Sequence, residues 1–343
     1  MSFIAHKSFR FWFQAARPPA LGQSLTPYLL GTLLALSAWI HEETGATNNF
    51  NVVCVIAGFL GVAFAHCGLN LLDDYFDYTS GAVAQRQALS DGGVRARMGK
   101  CAYLAQGATP KDVAKAAVAF LGLAAGFAVV VLLVRGPATL IFAGVAGVLG
   151  YLYSGPPLKL SYHALGEVVT GIIFGLILVP AAYFVACGRL DSVAIWAAIP
   201  TGLLTINILN AHAIMDFESD KAHARITLVV ALGSKERGLL VTFGLLASAY
   251  VAVGVGVLLG ELTKASLGVL LSLPLAFEFW KLLCGYVRHP EIDHSPKLWY
   301  GSLGNWERIK SSGIDWFMVR WYLARNLLMM FVSILAIASF IRW

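Results

Sequence analysis

The chain has 343 residues, 58% of them hydrophobic and 13% charged, with a net charge of +6 and a mean hydropathy of +0.71. Soluble domains carry roughly 25% charged residues, so the two soluble domains that the length alone would allow are excluded in favour of one polytopic membrane domain over residues 1–343. The positive charge requires no nucleic acid; anionic lipid headgroups or an anionic substrate suit basic loops equally well.

The opening MSFIAHKSFRFWFQAARPP is basic and aromatic and reads as an interfacial helix, without the pattern of a cleavable signal. A membrane span needs about 20 apolar residues. Nine candidates follow, near 21–40, 52–72, 113–134, 137–153, 164–187, 193–215, 238–259, 263–284 and 321–341. The fourth is short and glycine-rich. With the N-terminus in the cytoplasm and the C-terminus outside, all of the 25 Lys and Arg except Arg135, Arg189, Lys264 and Arg342 fall on the cytoplasmic side, in loops or at the inner ends of spans. This is the positive-inside bias. The expected class is an all-α membrane bundle. The cysteines Cys54, Cys67, Cys101, Cys187 and Cys284 are scattered and read as small buried apolar residues.

Three inner loops stand out, 73–112, 216–237 and 285–320. The first two open with acids directly after an apolar span. Asn70, Asp73, Asp74 and Asp77, in NLLDDYFD, are spaced three and four apart and share one helix face. Asp216 and Asp220 repeat the four-residue spacing. Carboxylates at a helix C-terminus oppose its dipole by about 0.3–1 kcal/mol each, and within a membrane they cost several kcal/mol unless paired. Two readings meet that cost. The acids pair with Lys and Arg of the inner loops, or they hold Mg²⁺, which binds through one or two carboxylates plus waters and substrate phosphates.

A diphosphate also needs fixed cations and backbone donors. The first loop offers SDGGVRARMGK, with Gly92, Gly93, Arg95, Arg97 and Lys100; the second offers Lys221 and Arg225; and YSGPPLKL offers Tyr153 and Lys159. Each cation is either a solvated inside charge or a diphosphate ligand. Lys159 stands out as the one cation of its loop, behind a stiff Pro156-Pro157 pair. His66 and His212 lie inside spans just before the clusters. They are hydrogen-bonded core histidines, or His212 orients a substrate or an Asp. Residues 289–316 form an unusual cytoplasmic loop that reads as a lid, a partner site or a passive connection.

On NLLDDYFD at 70–77, GGVRARMGKCAYLAQGATPKDV at 92–113, YSGPPLKL at 153–160 and DFESDKAHARITL at 216–228, the chain resembles the UbiA-type intramembrane aromatic prenyltransferases from about residue 15 to 285. Within them it is most similar to the branch acting on 1,4-dihydroxy-2-naphthoate in menaquinone synthesis. The resemblance implies a helical bundle around a central cavity in the cell membrane, its site facing the cytoplasm. It implies Mg²⁺ as cofactor, and a polyprenyl diphosphate and an aromatic acceptor as substrates. It places Asp73, Asp74, Asp77, Asp216 and Asp220 at the metal and the reaction. Lys159, Arg225, Arg95, Lys221, Asn70, Tyr153 and His212 fall at the diphosphate or the acceptor. Asp73 stands where the family commonly has Asn, and no further acid follows Asp77 at 81–83. Other acceptors in the same fold, and a cation-coupled transporter, are the rival readings. A transporter site belongs near the midplane, whereas these acids sit at the ends of spans.

Overall fold

The computed structural model describes residues 8–41, 50–79, 107–222, 225–289 and 294–341. The described chain is helical, with a single β-bridge between His163 and Ile226. In chain order the helices are α1 (Phe9–Ala15), α2 (Gly22–His41), α3 (Val52–Thr79), α4 (Pro110–Arg135), α5 (Ala138–Ser154), α6 (Gly166–Cys187) and α7 (Ser192–Met215). Then come α8 (Phe217–Ala222), α9 (Leu228–Leu232), α10 (Lys235–Leu258), α11 (Lys264–Arg288), α12 (Trp306–Ser311) and α13 (Asp315–Ser339).

All nine segments expected to span are helical. Seven of them, α3, α4, α6, α7, α10, α11 and α13, are long and apolar enough to cross a membrane. The other two are α2, of 20 residues, and the short α5, of 17. Helices satisfy their own backbone polar groups, which a bilayer core requires. Local chemistry fixes several ends. Thr109 and Asp112 form a reciprocal capping box at the start of α4, with Pro110 at its first position. Gly188 ends α6 with φ +78, a left-handed conformation that costs glycine nothing.

Three boundaries differ from expectation. α3 runs on to Thr79, so the first acidic group lies inside its last turns and not in the loop beyond. α13 begins at Asp315, ahead of its apolar run. α11 opens as a 3₁₀ stretch over Lys264–Ser272. The first two share a cause. Hydropathy ends a span at its first charge, but the helix continues wherever neighbouring elements satisfy that charge.

The largest core joins α2, α6, α7, α10, α11 and α13. It encloses Arg320, wholly buried, whose guanidinium donates to the carbonyls of Leu282 (2.9 Å) and Trp316 and lies 5.2 Å from the Tyr286 ring centroid. A second cluster joins α1, α3 and α4. There the expected interfacial helix packs Phe9 on Phe13 and on Phe120, at 6.1 and 5.5 Å between ring centroids. α6 and α7 touch backbone to backbone: a Cβ on Gly175 would stand 2.4 Å from the Cα of Gly202. Small residues allow such approach where lipid supplies no hydrophobic force between helices. α6 carries a π-helical segment here, Ile172–Ile177, which widens the helix and presents Phe174 to His66 at 5.3 Å.

Candidate active site

The first acidic group is held by residues from three other places in the chain. Arg17 lies 3.4 Å from Asp73 and 3.2 Å from Asp74, and donates to the Asn70 carbonyl at 3.0 Å. The Asn70 side chain donates back to the Ala16 carbonyl at 3.0 Å, which ties the end of α1 to α3. The Ser154 hydroxyl donates to Asp73 from the end of α5. The Tyr162 hydroxyl donates to Asp77 at 2.5 Å. Asp74 and Asp77 are 0% and 1% exposed. These partners answer the cost that helix dipole and burial impose on the carboxylates.

The second group forms where α7 stops. Asp216 caps α7, its N–H bonded to the His212 carbonyl at 2.8 Å. The N–H of Asp220 reaches the Asp216 carbonyl at 2.8 Å, and that of Arg225 reaches the Asp220 carbonyl at 3.0 Å. The helical spacing of the two acids thus survives the break between α7 and α8. Asp216, Asp220 and Arg225 are 8%, 1% and 6% exposed.

Tyr162 joins the two groups. Its hydroxyl serves Asp77 of the first, and the Arg225 guanidinium of the second stands 5.5 Å from its ring centroid. The loops carrying them are tied twice more. The Ala164 N–H donates to the Ile226 carbonyl at 2.6 Å, and the Leu228 N–H donates to Glu167 Oε1 at 3.1 Å. The Pro156–Pro157 peptide is cis.

This polar assembly closes one part of a cavity of about 1290 Å³. Of the residues expected at the site, Asn70, Asp73, Tyr153, His212 and Arg225 line it. Asp74, Asp77, Asp216 and Asp220 are buried and are not among the lining residues. Lys159 and Lys221 are not among the lining residues. Lys159 is half-buried with φ +45 and precedes the 3₁₀ turn that carries Tyr162. Lys221 is exposed, its ammonium 6.0 Å from the Phe217 ring centroid. Arg95, with Gly92, Gly93, Arg97 and Lys100, lies outside the described residues. His66 is a core histidine bonded to Ser24 Oγ at 2.7 Å, and its ring also reaches the cavity. His212 packs on Phe317 and Trp321, at 5.0 and 6.2 Å.

The sequence reading missed Arg17, Ser154, Tyr162 and Glu167. Arg17 reads as one more inside charge, and Tyr162 meets an aspartate 85 positions away. No local spacing announces such a pair. Away from the acids the walls are mostly apolar. Ala124, Ala125 and Ala128 of α4 and Ala143, Ala146 and Gly147 of α5 contribute small residues to the lining.

The profile of the UbiA prenyltransferase family matches residues 24–292. The chain belongs to the UbiA prenyltransferase family. It is a multi-pass membrane protein and a prenyltransferase. It is 29% identical over 228 residues to the 1,4-dihydroxy-2-naphthoate octaprenyltransferase of Bacillus subtilis, covering 65% of this chain and 66% of that one. It is 29% identical over 259 residues to the protein of the same name from Mycobacterium leprae, covering 72% of this chain and 81% of that one. A UbiA homolog from Archaeoglobus fulgidus, solved bound to GPP and Mg²⁺, shares the fold with a TM-score of 0.56 at 18% identity, over 92% of this chain and 99% of that one.

Proposed function

We propose that this UbiA-family chain transfers a polyprenyl group from a polyprenyl diphosphate to 1,4-dihydroxy-2-naphthoate, a step of menaquinone synthesis. One observation carries the reading: two buried acidic groups, linked through Tyr162 and Arg225, stand at the polar end of a large apolar cavity. The names of the bacterial relatives support the acceptor.

The donor set suits Mg²⁺. It consists of hard carboxylate oxygens, on two helix ends, with arginines beside them. Among the described residues no three His, Cys, Asp or Glu side chains form a self-contained metal cluster. That fits an ion held by one or two carboxylates and completed by substrate phosphates and water. Asp74, Asp77, Asp216 and Asp220, with Asp73 at the cavity, would hold two or more such ions between them. When bound, the ions neutralise charge on the leaving diphosphate.

The chain's own residues do the rest. Arg225, at the lining, binds the diphosphate and stabilises charge as the allylic C–O bond breaks. Arg17 and Tyr162 keep the carboxylates oriented. The Ala and Gly surface of α4 and α5 receives the prenyl tail, and the apolar walls keep water from quenching the allylic cation. An electron-rich ring carbon of the acceptor then forms the new C–C bond. Loss of carbon dioxide leaves the bonding pair in the ring and restores aromaticity. The Lys and Arg distribution supports a site facing the cytoplasm.

The test is prenyl transfer by the purified protein in nanodiscs, with Mg²⁺, a prenyl diphosphate and a panel of aromatic acceptors, against an EDTA control. The expected product is a prenylated naphthoquinol formed only with Mg²⁺. Product from another acceptor would move the pathway; no product from folded protein would overturn the reading.

A further inference from the structure

We propose that Arg308, on the C-terminal segment 294–314, binds the carboxylate of an aromatic acid acceptor, and that this segment is the roof of the acceptor subsite. The proposal deepens the reading above and rests on it.

This segment lies beyond the stretch matched by the family, which ends at residue 292. It is nonetheless built in. Glu278 Oε1 of α11 accepts from Lys297 Nζ at 2.6 Å and from the Tyr300 hydroxyl at 2.8 Å. From α13, the Asn326 side chain donates to the carbonyls of Tyr300 and Ser302, at 2.7 and 3.0 Å, and Arg325 donates to Ser302 at 2.7 Å. His294 meets Asp315 at 3.0 Å. These ties fix α12 over the cavity, where Asn305, Arg308, Ile309 and Ser312 become part of its lining. A passive connection would need none of them.

The cavity has three arginines in its wall, Arg17, Arg225 and Arg308. Arg17 is engaged with Asp73 and Asp74, and Arg225 lies against Tyr162. Both belong to the acidic end. Arg308 is exposed at the cavity rim; among the described residues its guanidinium makes no hydrogen bond or ion pair, and the N–H bonded to Asn305 is its backbone. Of the acids nearest in sequence, Glu307 forms no ion pair with it and Asp315 is taken by His294. The lining next in sequence is aromatic, with Phe317 and Trp321 packed against His212. An aromatic wall and an unmatched guanidinium are the two features that recognise a planar aromatic acid. The ring packs on the wall, and the carboxylate takes the planar fork of donors.

The experiment uses the full chain in nanodiscs with Arg308→Ala and Arg308→Lys. Steady-state constants are measured for 1,4-dihydroxy-2-naphthoate, for 1,4-dihydroxynaphthalene, which lacks the carboxylate, and for the prenyl diphosphate. Arg308→Ala is expected to raise KM for the carboxylated acceptor on the order of tenfold to a hundredfold, the range of a lost charge-assisted hydrogen bond. KM for the other two should not move, and Arg308→Lys should recover part of the loss. An equal effect on both acceptors, an effect on the prenyl diphosphate, or no effect would overturn the proposal. Binding of unreactive 2-naphthoate, read by calorimetry, separates this from the wider reading. If the wild type transfers to no acceptor, the functional reading fails. The subsite then stands only if 2-naphthoate binds and Arg308→Ala weakens that binding.

Discussion

Tyr162→Phe removes one hydroxyl and leaves the ring under Arg225. The lost bond is the 2.5 Å donation to Asp77, a carboxylate 1% exposed. A hydrogen bond to a charged group contributes about 1.5–3 kcal/mol, which corresponds to roughly a tenfold to a hundredfold change in rate. If Tyr162 orients Asp77 for the reaction, kcat/KM falls by that factor and the Mg²⁺ concentration for half-maximal rate rises. Tyr162→Ala also loses the contact with Arg225, about 0.5–2 kcal/mol more. A double-mutant cycle with Arg225→Ala reads that second contribution directly. The assay is prenyl transfer over a Mg²⁺ titration, with thermal melting in the same detergent. A Tyr162→Phe protein with unchanged kcat/KM and unchanged Mg²⁺ dependence would refute the claim that this tyrosine couples the two acidic groups.

Asp74→Asn and Asp216→Asn should each abolish turnover while the protein still expresses and melts cooperatively; near-normal turnover in either would remove it from the proposed metal set. Mg²⁺ alone should bind weakly, and far more tightly once a prenyl diphosphate is present, because the described carboxylates form no cluster of three; calorimetry with and without a non-hydrolysable diphosphate reads this, and tight binding of the ion alone would contradict it. Gly147 lines the cavity with nothing within 4 Å of where its Cβ would be. Gly147→Phe should therefore depress kcat/KM for long prenyl diphosphates more than for geranyl diphosphate, and uniform loss across chain lengths would place the tail elsewhere. Gly175→Val drives a side chain into the backbone of Gly202, 2.4 Å from where its Cβ would stand; a fall in melting temperature of several degrees is expected, and an unchanged Tm would mean that α6 and α7 separate without cost.

The ties that fix α12 change how the C-terminal region is understood. Sequence alone offers a lid, a partner site or a passive loop for residues 289–316. Glu278, Lys297 and Tyr300 support the fixed roof proposed above, because a carboxylate 7% exposed is held by two donors from that very segment. The transporter reading also loses ground, since the two acidic groups stand where α3 and α7 end.

What the sequence determined by itself is what local physics controls. Hydropathy over about 20 residues places a span because each helix in lipid must satisfy its own backbone. That located nine segments, all of them helical in the structure, and the acidic motifs at the ends of two of them. The four-residue spacing of Asp73 with Asp77, and of Asp216 with Asp220, follows from helical periodicity. Tertiary structure alone decided which charges are answered and which face the cavity. Arg17 finds Asp74, Ser154 finds Asp73 and Tyr162 finds Asp77 across gaps of more than fifty positions, by packing that no spacing encodes. It also separated residues the sequence treats alike. Arg225 is buried at the lining, while Lys221, a turn earlier in the same motif, is exposed. Motif membership depends on neighbours along the chain, and a side chain's chemistry depends on neighbours in space.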